Sequence, residues 1–188
     1  LVAFVIISSL NADNSNTSDI ILPPAHDRPA ISENTMGDQD APVIVEEFSN
    51  YECGHCLNFA QNLEPQFIED YVTPGKVFFK YMPYSWTDLS TFANIATFCA
   101  MNQGKFWEYR DIVYANMQNQ AIGGLNETNL YAYAGVLELN EQIFSDCLTK
   151  KSSLHYVDDI VEYAGQVGIT GTPTFKVNDR LVYANDLY

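Results

Sequence analysis

The feature that most constrains this chain is Cys53-Gly54-His55-Cys56, placed between a short apolar run and a helical pattern. Pro42 to Phe48 reads as a buried strand. Beyond it, Leu57, Phe59, Ala60, Leu63, Phe67 and Ile68 recur at three-to-four spacing and predict a helix to Tyr71, kinked at Pro65. Two cysteines at i and i+3 on a helix have Cβ atoms about 5–6 Å apart. A small adjustment brings them to the roughly 3.8 Å that a disulfide needs. The unpaired N–H groups and positive dipole end of the helix favour a thiolate there. Cys53, nearer the exposed end, is therefore the expected nucleophile, and Cys56 the thiol that resolves a mixed disulfide. The dipeptide Gly54-His55 tunes the pair, because His55 can donate a hydrogen bond or carry positive charge beside the thiolate. Half a zinc site and a plain structural disulfide are the competing readings. A second C-x-x-C is lacking, His26 sits in a polar tract and His155 in a late helix, so redox chemistry is favoured, with no metal and no cofactor.

The rest of the chain suits an α/β domain. Hydrophobic residues make up 47% and aromatics 13% of 188 residues, a globular composition with enough length for one core. A net charge of -15, from nine Lys and Arg against 24 Asp and Glu, repels phosphate backbones and argues against nucleic-acid partners. Leu1 to Leu10 is apolar but too short to span a bilayer, and reads as a truncated signal peptide or retained membrane anchor; a buried N-terminal strand is the alternative. Residues 11–40, rich in Asn, Asp, Ser and Pro, read as a flexible polar linker. Asn16-Thr17-Ser18 and Asn126-Glu127-Thr128 fit the glycosylation sequon, a triplet common by chance.

Lys76 to Met82 predicts a second strand, and periodic apolar residues predict five further helices, the third of them marked by Leu130, Ala134 and Leu137 and capped by Asn126. Thr172 to Val177 and Leu181 to Tyr183 read as strands of a hairpin turning at Asn178-Asp179. The expected organisation is a β-α-β part over 41–86, a helical insertion over 87–167 and a β-β part over 168–188 that stops before a covering helix. Cys99 and Cys147 fall on apolar helical faces of the insertion; an oxidising compartment favours a disulfide between them over two buried thiols.

Three blocks carry a family resemblance: Glu47-Phe48-Ser49-Asn50-Tyr51-Glu52-Cys53-Gly54-His55-Cys56, Gln103-Gly104-Lys105-Phe106-Trp107-Glu108-Tyr109, and Gly168-Ile169-Thr170-Gly171-Thr172-Pro173-Thr174-Phe175. In order and spacing they resemble the DsbA-like thiol–disulfide oxidoreductases, over roughly residues 37 to 188. The resemblance implies a thioredoxin fold with an inserted helical domain. It also implies a cis peptide at Thr172-Pro173 beside the cysteines, and Glu47 as the buried acid beneath them. The residues agree with these implications. A Pro without an N–H leaves the neighbouring strand edge open for a substrate backbone to pair with Thr172. A carboxyl in an apolar strand has a raised pKa that suits proton exchange with Cys56. Glu46 points the opposite way and is the weaker candidate; Lys80 in the next strand is a possible partner of the buried acid.

The Gly-His dipeptide departs from the Pro-His of the family's best-known oxidant and matches protein disulfide isomerases. The expected function is oxidation: introduction of disulfides into reduced or unfolded exported proteins, outside the cytoplasm, through Cys53–Cys56. The family implies a quinone-linked membrane thiol oxidase that restores the disulfide. An isomerase or reductase using the same cysteines, or a metal- or peptide-binding module, are the other readings.

Overall fold

A computed structural model describes residues 17–183. The apolar segment Leu1 to Leu10, expected as a signal or anchor, lies outside the described residues, as does the end of the chain after Tyr183. Among the described residues no helix is long and apolar enough to cross a membrane.

A five-stranded sheet forms the centre. Its strands are β1 (Thr35–Met36), β2 (Val43–Ser49), β3 (Val77–Pro83), β4 (Thr174–Val177) and β5 (Arg180–Tyr183), in spatial order β1-β3-β2-β4-β5. β2 and β3 run parallel, as a β-α-β crossover requires, while β1, β4 and β5 pair antiparallel to their neighbours. The β4–β5 turn uses Asn178 at φ 50, a left-handed conformation that Asn tolerates. The expected strands and hairpin are thus present, each within two residues of the sequence-based limits.

Alternation along β2 sorts its side chains onto two faces. Val45, Glu47 and Ser49 share one face with Phe79 and Tyr81 of β3 and Phe175 of β4, by register. Aromatic contacts such as Phe59–Phe175 at 4.7 Å and Phe67–Phe79 at 5.7 Å bind the helical crossover to that face. Glu46 and Phe48 point to the other face, where Phe48 packs with Ala164 and Ile169.

The crossover helix is not uniform. Segments α1 (Gly54–Asn58) and α2 (Glu64–Phe67) are each followed by a π-helical stretch, Phe59–Leu63 and Ile68–Val72. Pro65 has no N–H to give a helical bond, and the wide turn before it closes instead through Glu64 N–H to the Phe59 carbonyl. A π turn lies immediately before the proline at which the sequence predicts a kink.

Between β3 and β4 run α3 (Asp88–Met101), α4 (Phe106–Asn116), α5 (Glu127–Val136), α6 (Glu141–Thr149) and α7 (Leu154–Val167). Asn126 caps α5 by accepting from Asn129 N–H at 2.9 Å, and Gly168 at φ 83 ends α7. Cys99 of α3 and Cys147 of α6 are joined in a disulfide closing a separation of 48 residues.

The tract 17–40 differs from the expected linker. Ile20 and Met36 are buried, and Asn116 holds the Ile21 backbone on both sides at 2.8 Å. Arg28 inserts a guanidinium between Glu64 and Asp111 at 3.1 and 2.8 Å. A polar average hides this, because a few isolated side chains do the anchoring.

Candidate functional site

Cys53 stands at the N-cap of α1 with extended backbone, φ -96 and ψ 115, so that its sulfur precedes the first helical turn. It is partly exposed, whereas Cys56, one turn inside, is fully buried; both are free thiols. Thr172-Pro173 is a cis peptide bond, and the Thr172 carbonyl accepts from Cys53 Sγ at 3.2 Å. The loop before β4 thus lies directly against the reactive sulfur.

Hydrogen bonding separates the two thiols. Donation from Cys56 lowers the Cys53 pKa to about 5 against the cost of partial burial, helped by the Thr172 hydroxyl and the Cys56 and His55 backbone N–H groups. The Thr172 hydroxyl is buried close to the sulfurs and makes no completed hydrogen bond of its own. Burial drives the Cys56 pKa upward, and the neighbouring Cys53 adds to the shift. A nucleophilic thiolate and a protonated buried thiol result. His55 contributes here through its backbone, while its side chain is exposed. Gly54 meets only Gln118 at 3.7 Å if given a Cβ, so it fills no steric need.

Beneath the cysteines lies Glu47, with no exposed surface and no completed hydrogen bond at either carboxyl oxygen. Its charged neighbour is Arg110 of α4, at 3.6 Å, and not Lys80. Strand register decides this. Lys80 and Lys176 pair with Glu46 in the sheet and reach its carboxylate at 3.9 and 3.0 Å, on the face opposite Glu47. Tyr163 donates to the same carboxylate at 2.8 Å. Glu46 is therefore a satisfied structural acid.

Arg110 is itself fully buried. It grips Glu64 with both terminal nitrogens, contacts Asp111 at 3.2 Å and lies over the Tyr81 ring at 4.4 Å. Burial alone would push the Glu64 pKa up, but Arg110 and Arg28 together hold it below the usual carboxylate value. Two guanidiniums, Arg28 and Arg110, already balance two carboxylates, Glu64 and Asp111. A charge on Glu47 would be surplus, and burial accordingly raises its pKa to about 8 despite Arg110.

That shift has a sign in stability. Between about pH 4.5 and 8 the folded protein holds a proton on Glu47 that the unfolded chain has released, so stability falls as pH rises through this window. Glu47→Gln is expected to remove that slope and to raise the denaturation midpoint at pH 7.5 relative to pH 4.5. Parallel urea titrations of both proteins across the window check it; unchanged slopes would show that Glu47 is not protonated in the fold.

The sequence reading missed Arg110, Glu64 and Arg28. A signal existed: Arg110 lies on the same helical stripe as Phe106, Val113 and Met117, and Glu64 sits at i+4 spacing between Ala60 and Ile68. Among the described residues no group of three or more His, Cys, Asp or Glu side chains is arranged to hold a metal ion.

A parallel-antiparallel sheet of this order, with a C-x-x-C at a helix start facing a cis proline, defines the thioredoxin class of folds. The family model described as "Thioredoxin" matches residues 30–187, and the chain belongs to that family. The chain is 24% identical over 156 residues to the "Probable disulfide bond formation protein D" of Bacillus cereus, covering 80% of this chain and 72% of that one. It superposes on oxidised BdbD from Bacillus subtilis with a TM-score of 0.73 at 22% identity, over 88% of this chain and 92% of that one. A "Na(+)/H(+) antiporter NhaA 1" of Salinispora arenicola is 29% identical over 165 residues, 86% of this chain but 23% of the antiporter. The chain thus spans about a quarter of the length of such relatives.

Proposed function

We propose that this chain is a thiol–disulfide oxidoreductase that introduces disulfides into exported proteins. One observation carries the reading: a partly exposed Cys53 with its pKa lowered to about 5 stands above a buried Cys56. Such a pair favours the dithiol state of the enzyme, and so favours passing the disulfide on to a substrate. The fold shared with BdbD and the likeness to a disulfide bond formation protein support it.

In the proposed reaction a substrate thiolate attacks Cys53 Sγ, the Cys53–Cys56 bond breaks, and Cys56 leaves and takes up a proton. The substrate's second thiol, losing its proton, attacks the substrate sulfur of the mixed disulfide and expels Cys53 as a thiolate. The substrate has then lost two electrons and the enzyme has gained them. The Thr172 backbone beside Pro173 is the proposed pairing edge for the substrate chain. A quinone-linked membrane thiol oxidase outside the cytoplasm is the proposed partner that restores the disulfide. Residues 41–86 and 168–188 are assigned the redox chemistry, and 87–167 the cover over it, stapled by Cys99–Cys147 as a structural bridge.

Mixing the oxidised protein with a reduced, unfolded cysteine-containing protein tests this. Disulfides are expected to appear in the substrate as free thiols appear at Cys53 and Cys56. Absence of transfer overturns the reading. The Gly54-His55 dipeptide favours isomerisation as a second reading, which predicts reshuffling of scrambled disulfides by the reduced protein instead.

A further inference from the structure

Cys56 and Glu47 are both shut off from solvent, yet any exchange through this pair of thiols requires a proton to reach and leave Cys56. A buried hydroxyl on the same strand as Glu47 is that of Ser49. It lies two residues after Glu47 on β2 and so on the same face, is fully buried, and precedes Asn50, whose N–H donates to Cys56 Sγ at 3.5 Å. Its hydroxyl is held at 2.8 Å from Tyr114 Oη, which in turn lies 2.8 Å from Tyr81 Oη. Tyr81 stands opposite Glu47 in the strand register.

We propose that Ser49 is the proton-transfer residue between Glu47 and Cys56, and that Tyr114 is the positioning residue that holds its hydroxyl in place. The inference rests on the oxidoreductase reading above. A hydroxyl can accept one hydrogen bond while donating another. With Tyr81 donating to Tyr114 and Tyr114 to Ser49, the Ser49 proton is free to point at Cys56 or at Glu47. Ser49 lies near enough to both groups to hold each pKa below what burial alone would give. When Cys56 is expelled as a thiolate, Ser49 gives it a proton and receives one from the Glu47 carboxyl. Arg110, 3.6 Å away, then faces the new carboxylate. When Cys56 must attack Cys53, the proton returns by the same route. Below about pH 8 the Glu47 carboxyl of the reduced protein must first give up its own proton, which sets the pH dependence of this return step.

The reaction of the reduced protein with glutathione disulfide separates the steps. Cys53 thiolate first attacks glutathione disulfide and expels one glutathione thiolate, without need of Cys56. Cys56 then loses its proton, attacks Cys53 Sγ and expels the second. Ser49→Ala is expected to leave the first step and the Cys53 pKa unchanged and to slow the second by about a hundredfold, the scale of one general acid–base contribution. The slowed step should lose the wild-type pH dependence set by Glu47 and rise instead with hydroxide. Tyr114→Phe, which keeps the ring, should slow the same step by a smaller factor and carries the test if Ser49→Ala does not fold. Wild-type second-step rates in the folded variants overturn the relay alone. Absence of the first step in the wild-type protein overturns the oxidoreductase reading itself.

Discussion

Replacing Cys53 by Ala is expected to reduce disulfide exchange to the uncatalysed background, while the Cys53 thiolate of Cys56→Ala still attacks glutathione disulfide and then stays as a mixed disulfide that Cys56 can no longer resolve. The asymmetry comes from geometry. Of the two, only Cys53 has exposed surface, and Cys56, Thr172 and the first-turn N–H groups favour its thiolate, whereas burial outweighs the contacts that Cys56 receives. Cys56 has no exposed surface, and burial keeps it protonated, so an incoming disulfide or alkylating reagent does not reach it. Iodoacetamide at pH 6, followed by peptide mapping, should therefore label Cys53 and spare Cys56 in the reduced wild-type protein. Equal labelling of the two residues, or exchange activity surviving in Cys53→Ala, would show that the assignment of the nucleophile is wrong.

The second large effect is on stability. Arg110→Met is expected to destabilise the fold by about 3–5 kcal/mol, the usual result of removing one partner from a buried ion pair. Arg110 has no exposed surface, and Glu64 loses both of the terminal nitrogens that now grip it. Arg28 stays at 3.1 Å from Glu64 but must then serve Asp111 and Glu64 alone. Arg110→Lys should recover little, since a single ammonium cannot reproduce the two-pronged contact or lie flat over Tyr81. Urea midpoints at pH 7 measure both variants. A midpoint near wild type for Arg110→Met would mean that Glu64 takes up a proton at little cost and that the cluster is not a structural anchor.

These two predictions draw on parts of the molecule that differ in how far the sequence exposes them. The strand before Cys53, the C-x-x-C at a helix start and the terminal hairpin are local patterns of period and turn chemistry, and they are legible residue by residue. The Cys99–Cys147 link follows from two cysteines on apolar faces, once an oxidising compartment is assumed. The buried cluster is different. Glu64, Arg110 and Arg28 come from three separate segments, and a charge in each segment alone reads as surface. The apolar stripes that carry Arg110 and Glu64 hint at burial, but which charges pair is visible only when the tertiary contacts bring them together. The pairing of Glu47 was misjudged for a related reason. Lys80 is close in the next strand, but register places it beside Glu46, and the side of the sheet that a strand residue faces depends on a single step of alternation. The packing of residues 17–40 was hidden because composition averages over the few residues that hold it.

The central claim is that the Cys53–Cys56 pair passes its disulfide outward, and its equilibrium with glutathione tests this most directly. The depressed Cys53 pKa stabilises the reduced pair at every pH above about 5, which makes the disulfide a stronger oxidant. Titration of the pair against reduced and oxidised glutathione at pH 7, followed by mass mapping of Cys53 and Cys56, should give a potential between about -200 and -120 mV. A value near about -270 mV, where thioredoxin-type reductants lie, would contradict the account and make this protein a donor of electrons.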